Sequence, residues 1–484
     1  MPDLLGIGKS GLFAAKKSLE TTGHNISNAN TEGYSRQRIH QVANLPVTIE
    51  SGYVQGTGTK IDHVNRMHDE FVEKRLNNDI AAEKFYEERA NRLSDAESIF
   101  NEVDDDGLSF VLNRFFNSFR ELANYPENEA IRLTVRDNAV LVIRDFHRIH
   151  NDLSQQQDSI DLALEKNVDD INALLRQIAH FNREIAKMEV VAGEASDLRD
   201  QRDAAIRSLS EYFEISTYSD EKGQYNVTAQ NVGTLVSGGI YQELTTGRVP
   251  QGMAGTQEDG QREIFFKERP SVAIGDKFKS GKINALLKTR NQELQRLKGQ
   301  IDDIAFNFAK SVNAIHRRGF VNREVDPALP VDLQGPITGI NFFEEPILVK
   351  DAAKNLSLDH LIKNDLSNIC TALHPTAPGD NRIALSISKL QHEKMYDHNS
   401  STMEEKYLKS IAAIGLESGK AQLDHEQAVG LLAQTRSMRE RISGVSLDEE
   451  TANLVRYQHA YDAAAKVLKT ADENFRTLIS MFGR

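Results

Sequence analysis

The sequence predicts a mainly α-helical protein with β insertions: paired N- and C-terminal helices forming a coiled-coil-like stalk, a long helical bundle, and a smaller β-rich projecting domain. Three observations carry that prediction. The two chain ends bear matching apolar stripes: Leu5, Gly8, Leu12, Ala15, Leu19, Thr22 and Ile26 near the start, and Leu454, Tyr457, Tyr461, Ala464, Leu468, Ala471, Phe475, Leu478 and Phe482 near the end. Their steps alternate between three and four, which keeps one narrow seam on one side of a helix. Such a seam needs a partner helix, and the simplest partners are each other or copies in neighbouring subunits. Next, no proline or glycine interrupts residues 127–190. Finally, the apolar period falls to two around residues 213–229, as in half-buried strands.

Taken in order, residues 4–29 read as an amphipathic helix that stops at the turn formers Asn28 to Gly33. Residues 34–60 read as extended or irregular, and 65–102 as a long helix broken at Asp104-Asp105-Asp106-Gly107. Val111, Leu112, Phe115, Phe116, Phe119 and Leu122 form one face of a helix over 108–125, which Pro126 ends. Two stripes, Val142-Phe146-Ile149-Leu153 and Ile171-Leu174-Ile178-Phe181-Ile185-Met188, predict one very long helix or two stacked ones before Gly193. A short charged helix follows at 196–211. Phe213, Ile215 and Thr217 alternate, as do Tyr225, Val227 and Ala229, about the turn formers Asp220 to Gly223, which is a hairpin pattern. Residues 231–280 stay strand-and-loop in character, and helix returns at 282–316.

Residues 320–395 hold six of the chain's 11 prolines and read as a separate small domain of strands and loops. Helix resumes near 402, breaks at Gly444, and restarts at Ser446, whose spacing to Glu449 is that of a capping box. The expected division is 1–64 with 444–484 as a terminal helical assembly region, 65–319 with 396–443 as a long-helix bundle containing a β subregion at about 212–280, and 320–395 as a β-rich outer domain.

Composition narrows the functions available. There are 58 Lys and Arg against 71 Asp and Glu, a formal net charge of −13, which disfavours nucleic-acid binding. The single cysteine, Cys370, excludes an internal disulfide framework and reads as a quiet buried thiol. No run of about 18 apolar residues is present, so no membrane insertion is expected. Gly6, Gly8, Lys9 and Ser10 interrupt what would be a secretory signal, which taken alone points to the cytoplasm.

Motifs for chemistry fail on spacing. Gly8-Lys9-Ser10 lacks the earlier glycine of a phosphate-binding loop, because position 3 is Asp3. His392-Glu393 begins like a zinc-protease helix, but Tyr396 stands where the second histidine belongs and His398 is out of phase. His63 and His68 are five apart, on diverging faces of a helix. His147 and His150, beside Asp145 and Asp152, fit a solvated helix face. No catalytic, cofactor or metal site is expected.

The run Gly11-Leu12-Phe13-Ala14-Ala15, followed by Leu19 through Gln37 with Thr22, Gly23, Asn25, Asn28, Asn30, Thr31, Gly33, Tyr34 and Ser35, resembles the N-terminal signature of bacterial flagellar axial proteins. Its Thr-Thr-Gly-His-Asn and Gly-Tyr-Ser-Arg-Gln form resembles that of the FlgK family. Gly444-Val445-Ser446-Leu447-Asp448-Glu449-Glu450, continuing through Tyr457 to Asp472, resembles the other end of that family, and Asp197-Leu198-Arg199-Asp200-Gln201-Arg202-Asp203 resembles part of its middle. Glu32 stands where a proline is usual and Thr451 where a methionine is usual, and the central region is short for the family.

The resemblance implies a non-enzymatic structural protein joining flagellar hook to filament, extracellular, and exported by a type III apparatus without a cleavable signal peptide. It implies as partners copies of itself, hook subunits, the next hook-associated protein on the filament side, and a cytosolic export chaperone on 445–482. It also implies terminal helices that fold together on assembly. The alternatives are a hook or rod subunit, an adhesin, or an enzyme centred on 320–395.

Overall fold

The computed structural model describes residues 4–50, 53–100, 107–219, 224–248, 261–321, 337–375, 377, 379–396 and 399–482. The expected hairpin turn Asp220 to Gly223 and His398 lie outside them. Two long helices at the chain ends, α1 (Leu4–Ser27) and α12 (Leu447–Phe482), pack side by side. Between α1 and the body runs an extended segment of β1 (Gln37–Ala43), β2 (Val47–Glu50), β3 (Tyr53–Gln55) and β4 (Thr59–Arg66). β1 pairs antiparallel with β4, with a bulge between His40 and Gln41, and β2 pairs with β3. This places His63 on a strand, where sequence spacing had suggested a helix.

The body begins with α2 (Glu70–Ile99) and α3 (Leu108–Asn124). Asp69 caps α2 by accepting hydrogen bonds from the Phe71 and Val72 amides, satisfying donors that the first helical turn leaves open. α4 (Glu129–Ala192) is one uninterrupted helix of 64 residues, about 96 Å at the α-helical rise. Asn128 caps its start through the Ala130 and Ile131 amides, and Gly193 ends it. The two stripes read from sequence are one: Val142, Phe146, Ile149, Leu153, Ile160, Leu164, Val168, Ile171, Leu175 and Ile178 line a continuous buried face. His150 lies on that side too, 3% exposed, and so is not the solvated histidine its acidic neighbours suggested.

After α5 (Ser196–Ser210) the chain forms a four-stranded meander, β5 (Ile215–Ser219), β6 (Tyr225–Ala229), β7 (Gly233–Ser237) and β8 (Ile240–Tyr241). A three-stranded sheet follows, of β9 (Leu244–Arg248), β10 (Arg262–Phe266) and β11 (Arg269–Ala273). Both sheets are pinned to α4 by amide side chains. Asn172 donates to the Leu244 carbonyl (2.8 Å) and accepts from its amide (2.8 Å), and Asn182 donates to the Gly238 carbonyl (2.8 Å). α6 (Gly281–Lys288) joins α7 (Gln295–His316) through a π-helical segment, Thr289–Leu294. Within it Arg290 is fully buried, bonded to Asp161 and, at 2.9 Å, to Glu263.

Residues 320–395 depart from expectation. Among their described residues there is no named strand, only isolated bridges and short helices: α8 (Ala352–Asn355), α9 (His360–Asn364) and α10 (Arg382–Lys389). They do not stand off as a separate body; their apolar side chains enter the main core. Phe342 and Phe343 are fully buried and edge-on to each other at 4.9 Å, with Phe342 edge-on to Phe115 at 5.8 Å and Phe343 tilted against it at 6.1 Å. Asn313 of α7 holds this plug, accepting from the Phe342 and Phe343 amides at 2.9 Å and donating to the Phe343 carbonyl. His316 bridges the Ile340 carbonyl (2.7 Å) and the Cys370 amide (2.9 Å). Helices of four to eight residues, broken up by proline, are too short to write a period into the sequence. Cys370 is buried, and burial pushes its thiol up to about 12.

α11 (Met403–Ser443) runs antiparallel to α2, and α12 (Leu447–Phe482) completes the chain. The capping box that closes with both hydrogen bonds is Thr402–Glu405 at the start of α11. At α12 the Glu449 amide reaches Ser446 Oγ at 3.5 Å.

Candidate functional site

α1 and α12 lie antiparallel, in a register fixed by three points. A Cβ at Gly8 would lie 3.1 Å from Leu468 Cγ, one at Gly11 would lie 3.6 Å from Ala464 Cβ, and Asn25 Nδ2 donates to Glu450 Oε2 at 3.2 Å. The predicted stripes face each other along this line. Gly8, Ala15, Thr22, Asn25 and Ala471 are buried, and Leu12, Leu19, Ile26, Leu454, Tyr457, Tyr461, Ala464 and Leu468 are half-buried. Leu5 is 42% exposed, and beyond Ala471 the seam has no cover from α1: Phe475 is 59% exposed and Leu478 53%. Ile479 and Met481, outside the predicted stripe, widen this open apolar end.

At the opposite end of the pair, the turn after α1 is built from the signature residues. Asn25 sits at its centre. Its Oδ1 accepts from the Gln37 amide (2.9 Å) and the Tyr34 hydroxyl (2.8 Å), and its Nδ2 donates to the Gln37 carbonyl (3.0 Å) as well as to Glu450. Burial, reinforced by Asp197 and Asp200, pushes the Tyr34 hydroxyl well above its ordinary pKa, so it stays a neutral donor. Asn28 and Thr31 close the turn on itself, the Thr31 hydroxyl donating to Asn28 Oδ1 at 3.3 Å. Gly23 is half-buried, while Asn30 and Glu32 face solvent. Gly33 has φ +83°, and a Cβ there would meet Arg207 Nη2 at 2.6 Å. The positive φ favours glycine here, and a side chain would also have to displace the Arg207 guanidinium.

From this turn a polar latch runs into the body. The buried Ser35 amide donates to Asp200 Oδ2 at 2.8 Å. Arg66, at the end of β4, donates to Asp200 (2.9 Å) and Asp203 (2.6 Å). Burial would raise the Asp203 carboxyl, but Arg66 and Arg202 outweigh it and hold its pKa below the usual range. Arg36 and Arg38 both grip Glu449, at 2.6 and 2.8 Å, and the Arg36 hydrogen bond leads in holding that carboxyl low. Arg439 of α11 donates to Glu73 (2.6 Å) and to the Gly33 carbonyl (3.0 Å), while Arg207 reaches Glu73 at 3.1 Å. The N-terminal signature, the Asp197–Asp203 run and the Glu449-Glu450 pair therefore meet in one place. A cleft of about 1100 Å³ opens beside them, lined by Gly33, Leu76, Arg207, Leu432, Arg436 and Arg439 among others.

Pattern reading did not find Arg66, Glu73, Arg207 or Arg439, which lack neighbours of like type at a telling spacing. For Asp200 and Asp203 the alternation of acid and arginine was the available signal. Three groups of side chains among the described residues bring potential metal-ligand atoms within 4.8 Å of one another. His40, Asp62 and His63 lie on the exposed β1–β4 ribbon, the histidine rings stacked at 5.0 Å. Glu83 and Glu87, with His425, already hold Lys84 at 3.5 and 2.6 Å. His150 and Asp302 are buried in the body, with Asp351 partly exposed beside them. No helix among the described residues is long and apolar enough to cross a membrane.

A long-helix body with its two chain ends paired and latched to it defines a helical assembly protein. Both ends match flagellar axial families: residues 5–34 match the flagella basal body rod protein family, and 440–481 the flagellar basal body rod FlgEFG protein C-terminal family. Residues 93–343 match the flagellar hook-associated protein FlgK helical domain. The chain is 30% identical over 511 residues to flagellar hook-associated protein 1 of Bacillus subtilis, covering 99% of this chain and 98% of that one. It is 25% identical to the protein of the same name in Salmonella typhimurium, covering 99% and 100%. The flagellar hook junction protein FlgK of Burkholderia pseudomallei shares the fold at a TM-score of 0.63 and 16% identity, over 76% of this chain and all of that one. The chain belongs to the flagellar hook-associated protein 1 (FlgK) family.

Proposed function

We propose that this chain is a structural, non-enzymatic subunit of the joint between flagellar hook and filament. The observation that carries the reading is the terminal helix pair, which leaves its seam half open along its length and bare beyond Ala471. A pair this thinly covered is completed by neighbours, and copies of itself, hook subunits and the filament-side hook-associated protein are the partners proposed. Folding of the two ends is coupled to that burial. Before assembly the same apolar end, within 445–482, is the surface a cytosolic export chaperone would shield. Passage through a type III apparatus is the route proposed for its extracellular location.

Electron microscopy of cells lacking this chain tests the proposal. Hooks that end bare, with flagellin lost to the medium, are the expected outcome. Full-length filaments on normal hooks would overturn it and favour a rod, hook or adhesin role instead.

A further inference from the structure

The body holds one buried cluster that its packing does not explain. His150 on α4, Asp302 on α7 and Asp351 in the turn before α8 bring one ligand atom each within 4.8 Å of the others. His150 and Asp302 are each 3% exposed, and the Asp351 side chain is 36% exposed. Asp302 is fixed in place, its two oxygens accepting from the Asp351 amide (3.0 Å) and the Ala353 amide (2.9 Å). Asp351 has φ +60°, a left-handed conformation unusual for a residue with a side chain.

The imidazole is the anomaly. Its Nε2 stands 3.4 Å from Asp351 Oδ1, at the long edge of hydrogen-bond range, and Nδ1 has no hydrogen-bond partner. Leaving a buried polar group in that state is costly, and folded proteins normally meet it with a water or an ion.

We propose that His150, Asp302 and Asp351 bind one divalent transition-metal ion of the zinc class, which clamps the turn before α8 onto α4 and α7. One imidazole nitrogen and one oxygen from each carboxylate suit such an ion. Bonds of about 2.0–2.2 Å in a tetrahedral site need donors roughly 3.3 Å apart, a contraction within reach of side-chain rotation. The fourth position opens to water past Asp351. Burial, with the nearby Lys298 charge, disfavours the protonated imidazole, and an imidazole ligand must be neutral.

The exposed His40–Asp62–His63 group would bind the same probe, so the test uses full-length chain carrying His40→Ala and His63→Ala. After stripping with a chelator, zinc is added and followed by isothermal titration, metal analysis and thermal unfolding. One zinc per chain and a raised Tm are expected, with binding weakened at least about ten-fold in His150→Gln and in Asp351→Asn. Asparagine keeps the left-handed backbone accessible, and unchanged circular dichroism shows that the variants fold. Absence of zinc binding in the parent, or binding undiminished in both variants, would overturn the proposal.

Discussion

Gly8 of α1 and Leu468 of α12 meet so closely that a methyl group at Gly8 would sit 3.1 Å from Leu468 Cγ and 3.3 Å from its backbone nitrogen. The backbone atom cannot rotate away, so any side chain at position 8 pushes the helices apart. Gly8→Val should leave the body's melting transition in place while releasing α12 to limited proteolysis. Protease resistance equal to the parent's would mean that this contact does not hold the pair.

Leu468→Asp and Phe475→Asp should separate two roles of α12. Leu468 is half-buried against α1, so a carboxylate there loosens the pair and blocks incorporation into flagella while the body stays folded. Phe475 is 59% exposed and lies one turn beyond Ala471, past the Gly8–Leu468 contact. Its substitution should leave the isolated chain unchanged and still impair incorporation. Normal motility in both variants would remove the stripe as a subunit contact.

The latch makes a sharper thermodynamic prediction. Asp203→Ala strips a partner from Arg66, which is 8% exposed. Leaving a buried guanidinium short of its counter-charge typically costs about 3–5 kcal/mol, although Asp200 retains part of the pairing here. Asn25→Ala removes four hydrogen bonds at once and should cost about 2–3 kcal/mol. Denaturant unfolding of both variants gives the measurement, and a loss below 1 kcal/mol in each would show that the latch contributes little.

His316 sets a pH dependence. Burial pushes its pKa from the ordinary 6.5 down to about 4, so the native ring stays neutral while the unfolded chain takes up a proton. Stability is therefore complete above about pH 6.5, falls as the pH drops toward 4, and loses no more from this residue below that. The full effect is about 3 kcal/mol. A Tm that falls over that window in the parent, and less steeply in His316→Gln, is expected; identical pH profiles would exclude His316 as the cause.

Much of the architecture was legible in local pattern. The end stripes, the long run over 127–190 and the hairpin about residues 215–229 each carry a period that the backbone enforces. Where period was absent, reading failed: 320–395 looked like a strand domain and is short helices plugged into the core by Phe342 and Phe343. The candidate site was half legible, because its motif residues stood out while Arg66, Glu73 and Arg439 did not.

By itself the sequence determined that both ends are helices with one apolar seam each, because a three-four spacing admits one such face. It determined the turn at Gly33 as well, through residues that favour tight backbone. Tertiary structure alone decided that the ends run antiparallel with the register Gly8–Leu468 and Asn25–Glu450. It also decided that α12 outruns α1 at Ala471, and that acids from α5 and α12 meet arginines from β1 and β4. Those pairings join residues 425 positions apart in Asn25–Glu450 and still further apart in Gly8–Leu468, and their partners are chosen by shape and charge in three dimensions, which no local spacing records.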